Sequence, residues 1–193
     1  SQELVDGETV TFTAAASGSP APTVQWQESA DGGATWADLS GETSGSLSFT
    51  ASMSKSGNQY RAVFTNVLGS LATNAATLTV NTAPAIASQP SDQTVVHGQQ
   101  VTFSAAATGR PEPTVQWQVS TDGGSTWSPV TGAITTTLSF GASRAQNGNL
   151  YRALFTNGCS STSSEAATLT VNQAQTATTI TSHTPSPSEA GQA

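Results

Sequence analysis

The chain has 193 residues, with five Lys plus Arg against twelve Asp plus Glu and a net charge of −7. Five cations cannot build the basic face that a phosphate backbone requires, which argues against nucleic-acid binding. No run of about 18 apolar residues is present to insert in a membrane as a helix, and the single cysteine, Cys159, has no disulfide partner within the chain.

Taken in chain order, the predicted elements are short strands separated by Gly, Pro, Asn and Asp clusters. Val10, Phe12, Ala14 and Ala16 alternate inward with outward Thr until Gly18-Ser19-Pro20 breaks the run. Val24 and Trp26 share the inner face of the next strand, with Gln25 and Gln27 outside. Asp31-Gly32-Gly33 predicts a tight turn, and Thr35-Trp36 begins the return strand. Leu47 and Phe49 form a later inward pair, followed by Tyr60, Ala62 and Phe64, and Leu78 and Val80 close the unit. No helical period is visible.

The same order then recurs. Residues 1–82 realign on 92–173 at a constant offset of 91, and 45 of the 82 positions are identical. The second set of inward residues is Val101, Phe103, Ala105, Val115, Trp117, Leu138, Phe140, Tyr151, Ala153, Phe155, Leu169 and Val171. Three segments are therefore expected: 1–82, then 83–173, then 174–193. The linker 81–90 carries Pro84 and Pro90, which favour extended backbone. It reads as a stiff hinge that becomes the first strand of copy two. Ser1 is not preceded by a Met and the pattern stops mid-course at Ala193, so the chain is expected to be a piece of a longer polypeptide.

The residues resemble an immunoglobulin domain of the intermediate type. The likeness rests on Gly7, Val10, Phe12, Gly18, Pro20, Pro22, Val24 and Trp26, then Gly57 and Tyr60, and on their counterparts at offset 91, among them Gly98, Trp117 and Tyr151. Tyr60 and Tyr151 stand two residues before the second cysteine position, as a tyrosine corner requires. Both cysteine positions hold alanine in each copy: Ala14 with Ala62, and Ala105 with Ala153. The resemblance implies an all-β fold of two tandem antiparallel sandwiches. Such cysteine-free domains resemble the bacterial Ig-like repeats of cell-surface and secreted proteins. The tail 174–193 is similar to the opening strand of a following Ig-like domain, or is a strand donated to a neighbour.

No catalytic, cofactor-binding or metal-binding constellation stands out. His97 and His183 are isolated, and Glu28 and Asp38 become Val119 and Pro129 in copy two. Ser29–Trp36 and Ser120–Trp127 match the Asp-box hairpin, a structural turn. Trp36 and Trp127 are expected to cover the open end of the core, with stacking on a sugar ring as the alternative. Gln25, Gln27, Arg61 and Thr65 should share one polar outer face. Possible polymer contacts are Thr178, Thr179, Ile180 and Thr181 in the tail.

The expected function is non-enzymatic: a stalk, adhesin repeat or filament subunit of a bacterial extracellular or cell-surface protein. Its partners would be other Ig-like domains of the same or neighbouring chains, or a cell-surface glycan or protein. The tail strand could fill a sheet edge of a neighbour and build a head-to-tail fibre. The alternative is a glycan-binding accessory domain of a secreted polysaccharide-degrading enzyme.

Overall fold

The computed structural model describes residues 1–173. The tail positions Thr178–Thr181 lie outside the described residues. Copy one contains β1 (Gln2–Val5), β2 (Thr9–Thr13), β3 (Thr23–Ser29), β4 (Ala37–Asp38), β5 (Ser46–Thr50), β6 (Gln59–Asn66), β7 (Gly69–Ala72) and β8 (Ala76–Ser88). Copy two contains β9 (Gln93–Val96), β10 (Gln100–Ser104), β11 (Ala106–Arg110), β12 (Thr114–Ser120), β13 (Ser128–Pro129), β14 (Thr137–Gly141), β15 (Leu150–Thr156), β16 (Ser161–Ser163) and β17 (Ala167–Asn172). Two single-turn 3-10 segments, Met53–Lys55 and Arg144–Gln146, precede β6 and β15.

Each copy is a two-sheet sandwich. In copy one the larger sheet runs β1-β8-β6-β3-β4, with β7 also on β6, and faces the pair β2-β5. Copy two repeats this as β13-β12-β15-β17-β9, with β16 on β15, against β10-β14. The pairing is antiparallel except where β1 lies parallel to β8 and β9 parallel to β17. Alternation along the strands decides what is buried: β2 and β10 both place Val and Phe inward and polar residues outward.

The core forms around one tryptophan per copy. Trp26 and Trp117 are 3% and 0% exposed. Each indole N–H still finds an acceptor, the carbonyl of Ser44 or Thr135 at 2.9 Å. Phe12 and Tyr60 stack at 5.0 Å, as do Phe103 and Tyr151. With alanine at the cysteine positions, these rings supply the cohesion between sheets, each worth about 2–3 kcal/mol by burial.

Two expectations are corrected. Ala16 is exposed and Ala14 only half-buried, whereas Ala105 is buried and Ala107 half-buried. The reason is β11, which pairs with the far half of β8. Among the described residues no strand lies against the equivalent stretch 14–18 of copy one. The return strand is also shorter than expected. Its two residues, Ala37–Asp38, begin only after Trp36.

Candidate functional site

Three features stand out beyond the core, and the first is a hairpin platform present in both copies. Asp122 accepts from the Thr126 amide (2.9 Å), the Thr126 hydroxyl (2.6 Å) and the Ser120 hydroxyl (2.7 Å). Ser120, 1% exposed, accepts in turn from the Gly124 amide at 2.8 Å. Asp31, Thr35, Ser29 and Gly33 repeat the arrangement. The turn needs left-handed backbone at two successive residues, Gly123 (φ 71°) and Gly124 (φ 95°), which explains the Gly-Gly pair. The hydrogen bonds from Thr126 and Ser120 favour the charged carboxylate and pull Asp122 down to about 2. Asp31 is likewise held well below the ordinary range by Thr35 and Ser29.

The hairpin fixes the second tryptophan. The indole N–H of Trp36 donates to the Gly33 carbonyl (3.0 Å), and that of Trp127 to Gly124 (3.1 Å). The Arg61 guanidinium lies 4.0 Å from the Trp36 ring centroid and Arg152 lies 4.1 Å from that of Trp127. Each arginine is tied through Nε to Gln27 or Gln118 at 2.8 Å. Trp36 and Trp127 are half-buried and lie outside the two core clusters. One ring face therefore carries a cation and is closed to a sugar. The expected polar outer face is largely self-bonded: Gln25 donates to the carbonyls of Trp26 and Leu39.

The second feature is the joint. β8 begins in copy one, where Ala76 pairs with Tyr60 and Leu78 with Gln2. It continues without a loop into copy two, where Thr82 pairs with Arg110 and Ile86 with Ala107. Asn157 clamps it by donating to the carbonyls of Thr82 (2.8 Å) and Pro111 (2.9 Å). Pro84 and Pro90 are buried. Further along, Gln89 accepts from the Glu165 amide and Asp92 from the Thr168 amide.

The third feature is a cleft between the two sheets, where the copies differ. In copy one Glu28 accepts from Lys55 (3.1 Å), Asn58 (2.7 Å) and Tyr60 (2.6 Å). Burial opposes the charge on Glu28, but these three donors outweigh it and lower its pKa. Burial, with the Glu28 carboxylate beside it, raises Tyr60. In copy two Val119 and Gln146 replace Glu28 and Lys55, and the cleft opens. The sequence shows the change from Glu28 to Val119 as an isolated one, and the change from Lys55 to Gln146 is a second. Only the fold shows that the two changes fall on one network, since Lys55 donates to Glu28. Among the described residues no group of His, Cys, Asp and Glu is placed to hold a metal.

Sandwiches of this topology, with a buried Trp and tyrosine in each, define two tandem immunoglobulin-like domains. The chain belongs to the family described as a domain of unknown function (DUF8696), which matches residues 2–82 and 86–173. Over 168 residues it is 44% identical to Endoglucanase C of Cellulomonas fimi, covering 86% of this chain and 15% of that protein. It is 33% identical over 118 residues to human Roundabout homolog 2, covering 61% of this chain and 8% of that one. Among solved structures, the fold is similar to the titin I-band fragment I67-I69, with TM-score 0.64, 20% identity, and 90% and 63% of the two chains covered. It is also similar to the N-terminal four Ig domains of Dscam1 isoform 6.9, with TM-score 0.62, 21% identity, and 89% and 43% covered. At such identities the likeness concerns fold alone. No helix among the described residues is long and apolar enough to cross a membrane.

Proposed function

We propose that the chain is a non-catalytic spacer of a bacterial extracellular or cell-surface protein, holding what lies on either side of it at a set distance. The observation that carries this reading is β8, a single 13-residue strand that serves both domains. Bending at the joint would break its ladder to β11 and the Asn157 clamp, so the two domains should move as one rod. Inserting a Gly-Gly-Ser-Gly segment between Asn81 and Thr82 tests this by small-angle scattering. The native chain should give one narrow distance distribution, and the insertion should shorten and broaden it. Equal breadth in both would sink the reading.

An adhesin repeat, stalk or fibre subunit all fit such a rod. Head-to-tail assembly is supported by the uncovered stretch 14–18, which in domain two is the stretch covered by β8. A tail strand around Thr178–Thr181 from another chain would be the occupant, and other Ig-like domains would then be the partners. Removing residues 174–193 should abolish filaments seen by negative-stain microscopy, and their persistence would exclude assembly through the tail.

A second reading, an accessory glycan-binding module, is favoured by the 44% identity to a stretch of Endoglucanase C. Trp36 and Trp127 are its first candidates, through whichever ring face the arginine leaves free. Titrating tryptophan emission with soluble polysaccharides tests it, since the buried Trp26 and Trp117 should not respond.

A further inference from the structure

The two domains carry the same cleft in different chemical states. In domain one it has a volume of about 190 Å³ and is lined in part by Glu42, Lys55, Phe49 and Tyr60. In domain two it reaches about 530 Å³, within the usual size range of small-molecule sites. Three charged positions change together: Glu28, Glu42 and Lys55 become Val119, Ala133 and Gln146. What stays is the Phe and Tyr wall, Phe140 and Tyr151, whose rings lie 5.3 Å apart. The Tyr151 hydroxyl and the Asn149 amide lose the carboxylate that engages their counterparts in domain one.

We infer that the cleft of domain two is a binding site for a neutral carbohydrate chain. The inference deepens the accessory-module reading and rests on it. Val119, Phe140 and Tyr151 form an apolar wall, while Thr121, Thr131 and Asn149 offer hydroxyls and an amide at the rim. Among the described residues no charged side chain lines the cleft. An ionic ligand would leave its charge uncompensated there, and a wholly apolar one would strip water from the rim without replacing its hydrogen bonds. A pyranose presents C–H faces to the wall and hydroxyls to the rim. A peptide strand gains little from the neighbouring β13, which is two residues long and includes Pro129, with no amide to donate.

The test is amide chemical-shift mapping of the whole chain with cellopentaose and, separately, xylopentaose. Shifts should cluster at Phe140, Asn149 and Tyr151 with at least one probe. The double variant Val119→Glu/Gln146→Lys rebuilds the ion pair that domain one already accommodates beside an Asn and a Tyr. It should keep the native melting temperature and weaken binding by about tenfold or more, or roughly 1.4 kcal/mol. The reverse triple variant Glu28→Val/Glu42→Ala/Lys55→Gln should bring shifts to domain one. Shifts confined to Trp36 and Trp127 would overturn the cleft site and leave the accessory reading standing. No shift with either sugar would overturn both, and unchanged binding in the folded double variant would overturn the site.

Discussion

At the scale of single residues, the alanines at the cysteine positions are the sharpest departure from the immunoglobulin pattern. Ala105 and Ala153 are 2% and 0% exposed, and both belong to the cluster around Trp117. Burial of the rings holds the sheets together without a covalent tie. They stand at the cystine positions of the immunoglobulin pattern and share one buried cluster, so the pair Ala105→Cys/Ala153→Cys should oxidise. It should add about 2–4 kcal/mol by closing a long loop in the unfolded chain, read as a shift in urea midpoint with and without reductant. An unchanged midpoint with fully titratable thiols would show that the two Cβ atoms are wrongly aimed. Gly109 is the other informative residue. A Cβ there would lie 2.9 Å from the Pro113 side chain and 3.3 Å from the Pro84 backbone. Gly109→Ala should force the linker outward and cost about 1–3 kcal/mol. Exchange protection at the β8–β11 ladder should report it, and full retention of that protection would refute the tight fit.

At the scale of elements, the hairpin between β3 and β4, repeated between β12 and β13, is held by a carboxylate. Asp122 has a folded-state pKa below its ordinary value of 3.8, at about 2. Its contribution is therefore fully present above the ordinary value and is lost as pH falls through about 2. Asp31 follows the same sign. The Thr126 and Thr35 amides, which donate to these carboxylates, should lose exchange protection in that acid window while core amides keep theirs. Asp122→Asn should remove the pH dependence at Thr126. The hairpin also explains why a half-exposed Trp is fixed in place. Its N–H is satisfied within its own turn and its ring is stacked on an arginine from β6 or β15.

At the scale of the whole molecule, two domains alike at 45 of 82 aligned positions should respond differently to acid. The folded-state pKa of Glu28 is lowered, so its network stabilises domain one above the ordinary glutamate value of 4.5 and fades as pH drops through the folded value. Domain two has Val119 there and loses nothing by that route. Calorimetry between pH 7 and pH 3 should show the melting of domain one falling faster than that of domain two, and Glu28→Gln should bring the two slopes together. Parallel slopes in the native chain would mean that the network is too exposed to count.

Much of this architecture was legible in the sequence. The short strands and their inward faces follow from local alternation, and the offset of 91 carries that reading from one copy to the other. The resemblance to an immunoglobulin domain added the tandem sandwiches and the place of the tyrosine two residues before each second alanine. Ala16 was misread because alternation states which side of a strand a residue occupies, not whether another strand arrives to cover it. In domain two that covering strand is β8, drawn from the linker. The position of Trp36 had a similar cause: its ring answers to Arg61, 25 positions later in the chain. The amino-acid sequence alone determined the fold class and the repeat, because hydrophobic periodicity is a property of neighbours along the chain. Only the tertiary structure decided that the linker is a shared strand, that one face of the second tryptophan is occupied, and that three distant substitutions open a single cleft. Those depend on which residues meet across the sheets, and separation along the chain does not encode that.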